Sequence, residues 1–352
     1  MTLRLKKLFS VFFSYKIDAY LVTKDINIAY LTEFPASESW LLVSRRKTFY
    51  ITDSRYVLEA KQGLKGVAQV IQYQGSISKA LFEIANGLKL RRIGFDENHL
   101  THWQYKQLIK NARTGVKLVG VNSLVEKLRE IKENREVAQI KKALHIHKKA
   151  LIYLRKYIKP NSTEVAVYER LKAFVESQKA GFSFDPIVAS GPNGAYPHAK
   201  LTSRKFRRDD VVLVDTGIDY KGYKSDLTRM FLLGKIPQLL KEVLAHVHKA
   251  QKLAIAKIRP GVMVAEVDRV ARNYLEKHKL AKYFGHALGH GVGLEIHESP
   301  RLSQQSPATL KEGMVITVEP AVYIPQKFGV RIEDMVLVTK KGCEVLSGDI
   351  NQ

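Results

Sequence analysis

Three histidines, His286, His290 and His297, fall within the glycine-rich run GHALGHGVGLEIHE from Gly285 to Glu298. Glycine lets the backbone approach whatever sits beside it. Imidazoles in such a run suit a metal site or proton transfer, although one histidine by itself equally suits a hydrogen-bonded core position. Two carboxylate pairs bracket the run, Asp215 with Asp226 before it and Glu319 with Glu333 after it. Asp215 ends the apolar series Val211-Val212-Leu213-Val214, and Glu319 ends Val315-Ile316-Thr317-Val318. An acid at the end of an apolar strand is costly to bury unless it is paired or bound to a cation. For one acid a salt bridge to lysine or arginine suffices. Four acids in two matching strand pairs, with a histidine between them, point instead to metal. Four carboxylates and a neutral imidazole suit two divalent cations a few ångströms apart, sharing bridging carboxylates and a water. The oxygen-rich set admits Mn²⁺, Co²⁺ or Zn²⁺, and two such ions activate water and polarise a carbonyl. The chemistry is metal-assisted hydrolysis.

The elements that must position these residues come in two similar halves. Val137, Ile140, Leu144, His147, Leu151, Leu154 and Ile158 recur every three or four residues and mark one face of a long helix that stops at Pro160. Asn161 followed by Glu164 has the form of an N-cap with an acidic third position, which opens a helix to about Gln178. Helical patterns return over 239–258 and 265–279. Ile258-Arg259-Pro260 echoes Ile158-Lys159-Pro160, and Glu266-Val267 echoes Glu164-Val165. The strand phrases match as well: DDVVLVDTG (209–217) with KEGMVITVEP (311–320), and YKSDLTRMFLL (223–233) with GVRIEDMVLV (329–338). Such a degenerate repeat predicts two structurally similar halves facing each other. Ahead of them, the apolar runs 19–23, 39–44, 48–52 and 91–95 read as strands of a separate α/β domain, and the charged stretch LREIKENREV marks the boundary. The expected domains are 1–125 and 126–352.

The 352 residues are 45% hydrophobic and 26% charged, an ordinary globular composition. A single cysteine, Cys343, excludes an intramolecular disulfide and a cysteine-rich metal site, and suits a cytoplasmic setting. It falls in a polar C-terminal turn and reads as inert. The basic, partly apolar N-terminus lacks an A-x-A cleavage site and reads as an amphipathic helix, not a signal peptide. No run is long enough to span a bilayer. The net charge is +24, yet the basic residues are scattered, with small clusters at 204–208 and 141–156, so a solvated surface is preferred to a nucleic-acid site. The glycines do not follow the dinucleotide-binding order. Trp40, His102 and Trp103 are assigned to packing in the small domain.

The motifs VDTG, KSDLTR, GHGVGLEIHE, VEPAVY and VRIEDM resemble the five-ligand set of the pita-bread metallopeptidases, in the aminopeptidase P and prolidase branch. LVTKDINIAYLTEF (21–34) and TDSRYVLEA (52–60) resemble the creatinase-like N-terminal domain of that branch. The resemblance implies an α+β pita-bread catalytic domain with a pseudo-twofold repeat, preceded by the smaller α/β domain. It implies that Asp215 binds one metal, His290 and Glu319 the other, and that Asp226 and Glu333 bridge both, with Mn²⁺ leading and Co²⁺ or Zn²⁺ as alternatives. Glu319 would also take the proton of the attacking water. His198 would shuttle a proton or steady the intermediate, His297 would contact the substrate carbonyl, and His286 would line the same pocket. Arg301 matches an arginine that in some prolidases receives the substrate's terminal carboxylate. Arg331, two residues before Glu333, is placed to steady an acidic ligand or face the substrate, or else is a surface arginine. The implied activity is hydrolysis of the bond between an N-terminal residue and proline, as an Xaa-Pro aminopeptidase or as a prolidase acting on dipeptides. A homodimer is implied, with proline-containing peptides as substrates. The rival from another class is a non-catalytic module of the same fold that binds nucleic acid or another partner.

Overall fold

In a computed structural model, which describes residues 2–112 and 115–348, the chain divides into two compact units between Arg129 and Glu130. The N-terminal unit is built on a mixed six-stranded sheet in the order Gln69–Gln72, Thr48–Thr52, Trp40–Ser44, Ala19–Val22, Arg92–Phe95, Lys117–Gly120. The four strands expected from apolar runs all form, each within a residue of the expected ends. The two that the apolar pattern misses, Gln69–Gln72 and Lys117–Gly120, are the sheet edges, where half-exposed residues leave no apolar run to read. The helix Leu3–Ser10 buries Arg4, Leu5 and Leu8 and is capped by Thr2, whose hydroxyl accepts from the Leu5 N–H. Trp40 packs inside as expected. Trp103 does not: it is 68% exposed on the first turn of the helix His102–Asn111, whose buried residue is Leu108.

In the C-terminal unit the strand Val211–Thr216 separates two hydrophobic cores. Val211 and Leu213 enter one, with Leu240, Val243 and Val247 of the helix Gln238–Lys257 and Val267 and Ala271 of the helix Val264–Lys277. Val212 and Val214 enter the other, with Ile140, Leu144 and Leu151 of the helix Asn134–Leu154 and Val167 and Leu171 of the helix Glu164–Ser177. The strand Val315–Val318 alternates the same way, Ile316 into the first core and Val315 into the second. Strands covered on both faces read as continuous apolar runs, which is why these show no polar alternation. They belong to two antiparallel sheets, Leu227–Leu232, Val211–Thr216, Ile187–Ser190 and Glu298–Leu302, Gly289–Gly291, Val315–Val318, Asp334–Val338, Cys343–Val345. This is the pita-bread arrangement, two helix pairs enclosing the strands.

The repeat is visible in the helices, with an offset that corrects one sequence match. Glu164–Ser177 and Val264–Lys277 are both 14 residues long. Each follows an isolated bridge residue, Thr163 or Met263. The offset is therefore one hundred, which keeps Pro160 with Pro260 but sets Glu164 against Val264, not Glu266. The expected Asn161 cap also moves. Asn161 has φ +72°, and Thr163 caps the helix, its hydroxyl accepting from the Ala166 N–H. Cys343 begins a short edge strand, not a turn; burial pushes its thiol pKa up, which keeps it protonated and unreactive.

Candidate metal centre

The five proposed ligands stand at or just beyond strand ends. Asp215 lies next to last in Val211–Thr216, Asp226 just precedes Leu227–Leu232, Glu319 just follows Val315–Val318, and Glu333 just precedes Asp334–Val338. His290 is the middle residue of Gly289–Gly291. Its flanking glycines are required by neighbouring strands: a Cβ on Gly289 would lie 2.1 Å from the Thr317 carbonyl oxygen, and one on Gly291 2.3 Å from that of Ser299.

These side chains converge. His290 Nε2 is 3.5 Å from Asp226 Oδ2 and 3.4 Å from Glu319 Oε1. Asp226, His290 and Glu333 offer ligand atoms that all lie within 4.8 Å of one another. Asp215 joins them through Arg331, which ion-pairs with its Oδ2 while buried beside Glu319 and Glu333.

The electrostatics of the cluster call for a cation. Four carboxylates face one guanidinium. Burial first, and then the charges of Glu333, Asp215 and Glu319, hold the Asp226 carboxyl well above the ordinary carboxylate range. Burial, followed by Glu319 and Asp215, does the same to Glu333. Burial pushes Glu319 up to about 8, with Asp215 adding to the shift and Arg331 and Thr317 opposing it. Burial pushes His290 down to about 4, so its ring is neutral at neutral pH. The neutral tautomer follows from geometry. Nδ1 is 3.1 Å from the Gly291 carbonyl oxygen, which only accepts, so Nδ1 carries the proton and Nε2 turns its lone pair toward the acids. A lone pair facing carboxyl oxygens at 3.4–3.5 Å needs a proton or a cation between them, and a divalent cation can serve several of these ligand atoms at once. Two further atoms make the same demand: among the described residues, Asp215 Oδ1 and Glu333 Oε1 are buried without a hydrogen-bond partner, although the other oxygen of each carboxylate is used by the protein. Oxygen donors in this number with one imidazole fit divalent cations of the Mn²⁺, Co²⁺ or Zn²⁺ kind.

The remaining residues singled out in the sequence occupy distinct positions. His286 lines the cluster, its Nδ1 4.0 Å from Glu319 Oε2, but both ring nitrogens are engaged, Nδ1 with the Ala287 carbonyl at 2.8 Å and Nε2 with the Tyr323 hydroxyl at 3.2 Å. His297 is exposed, its ring edge-on to His290 at 4.4 Å between centroids. His198 is exposed and within electrostatic range of both His286 and His297. Arg301 is the cross-strand partner of His290, which puts both side chains on one face of the sheet. Arg331 is buried; its guanidinium contacts Asp215, the Tyr323 hydroxyl, Thr228 Oγ1 at 3.1 Å and the Pro197 carbonyl at 3.3 Å. It steadies an acidic residue, and that residue is Asp215, on a strand of a different sheet, and not the neighbouring Glu333.

Three positions escape the sequence reading. Thr228 donates to Glu333 Oε2 at 2.9 Å and accepts from Arg331 Nε. Thr317 accepts from the His290 N–H at 3.1 Å and reaches Glu319 Oε1 at 3.4 Å. Tyr323 joins Arg331 to His286. The threonines carried a usable signal: each lies two residues from an acid, Thr228 from Asp226 and Thr317 from Glu319, so strand alternation puts them on the acids' face. Tyr323 carried none, because it meets Arg331 across a strand pair and His286 in a distant loop, contacts that no local spacing shows.

Comparison with known proteins bears on the family of the chain. Residues 138–340 match the model of metallopeptidase family M24, and residues 4–131 match that of the Creatinase/Prolidase N-terminal domain. An uncharacterized peptidase of Bacillus subtilis (strain 168) is 38% identical over 97% of this chain and 96% of its own. Among solved structures, the Xaa-Pro dipeptidase from Bacillus anthracis superposes with a TM-score of 0.94 at 35% identity, covering 99% of this chain and 98% of that one. The X-Pro aminopeptidase from Thermotoga maritima MSB8 gives 0.87 at 32% identity, covering 98% and 97%. With matches to both family models and relatives aligned end to end, the chain belongs to metallopeptidase family M24, in a form that carries the Creatinase/Prolidase N-terminal domain.

Proposed function

We propose that the chain is an Xaa-Pro exopeptidase whose metal ligands are Asp215, Asp226, His290, Glu319 and Glu333. The observation that carries this reading is the convergence of carboxylates, a neutral imidazole and orphaned buried oxygens around one point. Divalent cations bound there would supply Lewis-acid polarisation of the scissile carbonyl and a nucleophilic water at neutral pH. Glu319, buried at the centre with its charge balanced once cations are bound, would be placed to accept the proton that the attacking water gives up. His198 and His297 are exposed beside the cluster, where an imidazole can donate to the carbonyl oxygen as charge builds on it. His286, fixed at both nitrogens, forms a wall of the site. Arg331 acts on the substrate only through Asp215, His286 and the Pro197 backbone.

A proline substrate needs a dedicated enzyme because its ring removes the peptide N–H and bends the chain. Removal of the residue before proline from longer peptides is the leading form of the activity. Arg301, on the face of His290, favours the dipeptide form, since a guanidinium there can take the free carboxylate of an Xaa-Pro substrate. The proposal extends to Mn²⁺ as the working metal and a cytoplasmic homodimer; no helix among the described residues is long and apolar enough to cross a membrane. The deciding experiment is a panel of Xaa-Pro dipeptides and Xaa-Pro-Xaa tripeptides under Mn²⁺, Co²⁺ and Zn²⁺. Cleavage of the tripeptides supports the aminopeptidase, cleavage of dipeptides alone the prolidase, and no metal-dependent cleavage of either refutes the function.

A further inference from the structure

We propose that Glu164 is the positioning residue that sets where His198 stands. This rests on the reading of His198 as a group beside the scissile peptide. Glu164 opens the helix Glu164–Ser177 and is fully buried. An acid at a helix start ordinarily serves its own helix. The Glu164 carboxylate turns instead to the segment from Ser190 to Thr202. One oxygen accepts from the Ser190 N–H and hydroxyl, both at 2.7 Å. The other accepts from Asn193 Nδ2 at 2.8 Å, from the Thr202 N–H at 3.0 Å and from the Thr202 hydroxyl at 2.6 Å. Five donors occupy the acceptor capacity of the carboxylate.

The segment so held is an arch with both feet on one side chain. At its crown the Pro197 carbonyl accepts from Arg331, the residue that also holds Asp215. Gly194 meets the backbone of Gly329, where an added Cβ would fall on the Gly194 carbonyl oxygen. Next to Pro197 stands His198, exposed and, among the described residues, without a hydrogen bond to the protein. Among the described residues no hydrogen bond ties its ring to another element, so the backbone of the arch sets where it stands.

The internal repeat argues that the carboxylate serves function and not the fold. One hundred residues on, the matching helix begins with Val264, which is also fully buried. The architecture accepts an apolar side chain at this position, where the acid stands only in the half that carries the arch and His198; the buried acid of the other helix, Asp268, stands one turn further on and accepts from Arg272 and the Leu288 N–H. Burying a carboxylate where valine suffices has a cost that the fold itself does not require.

The test is a double-mutant cycle on the full chain loaded with Mn²⁺, with Glu164→Gln and His198→Ala. A glutamine keeps the size but turns an NH₂ toward donors, so the arch loses its anchor on one side. We expect kcat on an Xaa-Pro substrate to fall about 10- to 100-fold in Glu164→Gln, the range for misplacing a reacting group. KM and metal content should stay within about twofold of wild type, and the His198→Ala background should lose little more when Glu164 is changed. Additive losses, or a metal content that falls with activity, would overturn the proposal. If Glu164→Gln does not fold, Asn193→Ala and Thr202→Val remove donors and leave the acid, and the same non-additivity with His198→Ala is expected of them. A readout independent of turnover is the carbon–proton spectrum of ¹³C-histidine-labelled protein, in which His198→Ala identifies one peak among eleven histidines. Glu164→Gln should move or broaden that peak. An unmoved His198 peak overturns the proposal even if the chain cleaves no Xaa-Pro bond, so its failure and that of the proposed function are distinguishable.

Discussion

Replacing Glu319 by glutamine should make the metal-free protein more stable and the metal-loaded protein inactive. Burial raises the Glu319 carboxyl from its ordinary 4.5 to about 8. A carboxyl raised in the folded state adds no penalty below its unfolded value, a growing penalty between the two values, and the full penalty above the folded one. At about 1.4 kcal/mol per unit, the penalty reaches about 2 kcal/mol at pH 6 and about 5 kcal/mol above pH 8. Glutamine does not ionise and escapes it. In EDTA the melting temperature of Glu319→Gln should therefore exceed wild type slightly at pH 5 and most at pH 8, by about 2–4 °C per kcal/mol for a unit of this size. Mn²⁺ at a hundred times the wild-type dissociation constant should narrow the gap, because wild type gains about 2.7 kcal/mol from binding and the variant, short of one ligand, gains less. Differential scanning calorimetry across pH, with and without Mn²⁺, reads both effects. A variant less stable than wild type in EDTA, or a gain that does not grow with pH, would refute the view that crowded buried carboxylates await cations.

Arg331→Met should weaken Mn²⁺ binding about 10- to 100-fold by titration calorimetry, as loss of a residue that orients a ligand does; it also leaves four acids unopposed, so its melting temperature in EDTA should drop. Wild-type metal affinity would show that Asp215 needs no anchor. Thr228→Val removes the donor to Glu333 at nearly constant volume and should cost about 1–3 kcal/mol of stability together with some metal affinity; unchanged unfolding would mean that water replaces the hydroxyl. Arg301→Ala should raise KM about tenfold or more for Xaa-Pro dipeptides, from loss of a charged hydrogen bond, and leave tripeptides nearly unaffected. Equal changes for both substrate lengths would remove Arg301 from carboxylate recognition.

Periodicity and punctuation went far in this chain. The strands of the small sheet, the four long helices of the catalytic unit and the two carboxylate-bearing strand pairs are legible because burial on one or both faces writes itself into apolar order. The edge strands at 69–72 and 117–120 are not, since exposure removes the pattern. Sequence also put Glu164 beside Glu266, because identical dipeptides match regardless of where a helix starts; the bridges at Thr163 and Met263 place Val264 there instead.

The chemistry proposed for the centre was legible in residue types, four acids and a histidine in their motifs. What tertiary structure decided is which groups meet. Arg331 holds Asp215 and not its sequence neighbour Glu333, Tyr323 ties Arg331 to His286, and Glu164 reaches across to the His198 arch. Each of these contacts joins residues from different strands or loops, and their distances depend on how the sheets and helices pack. Local sequence specifies each element's own geometry; the angle and register between elements come from burying both cores at once, and that is a property of the whole fold.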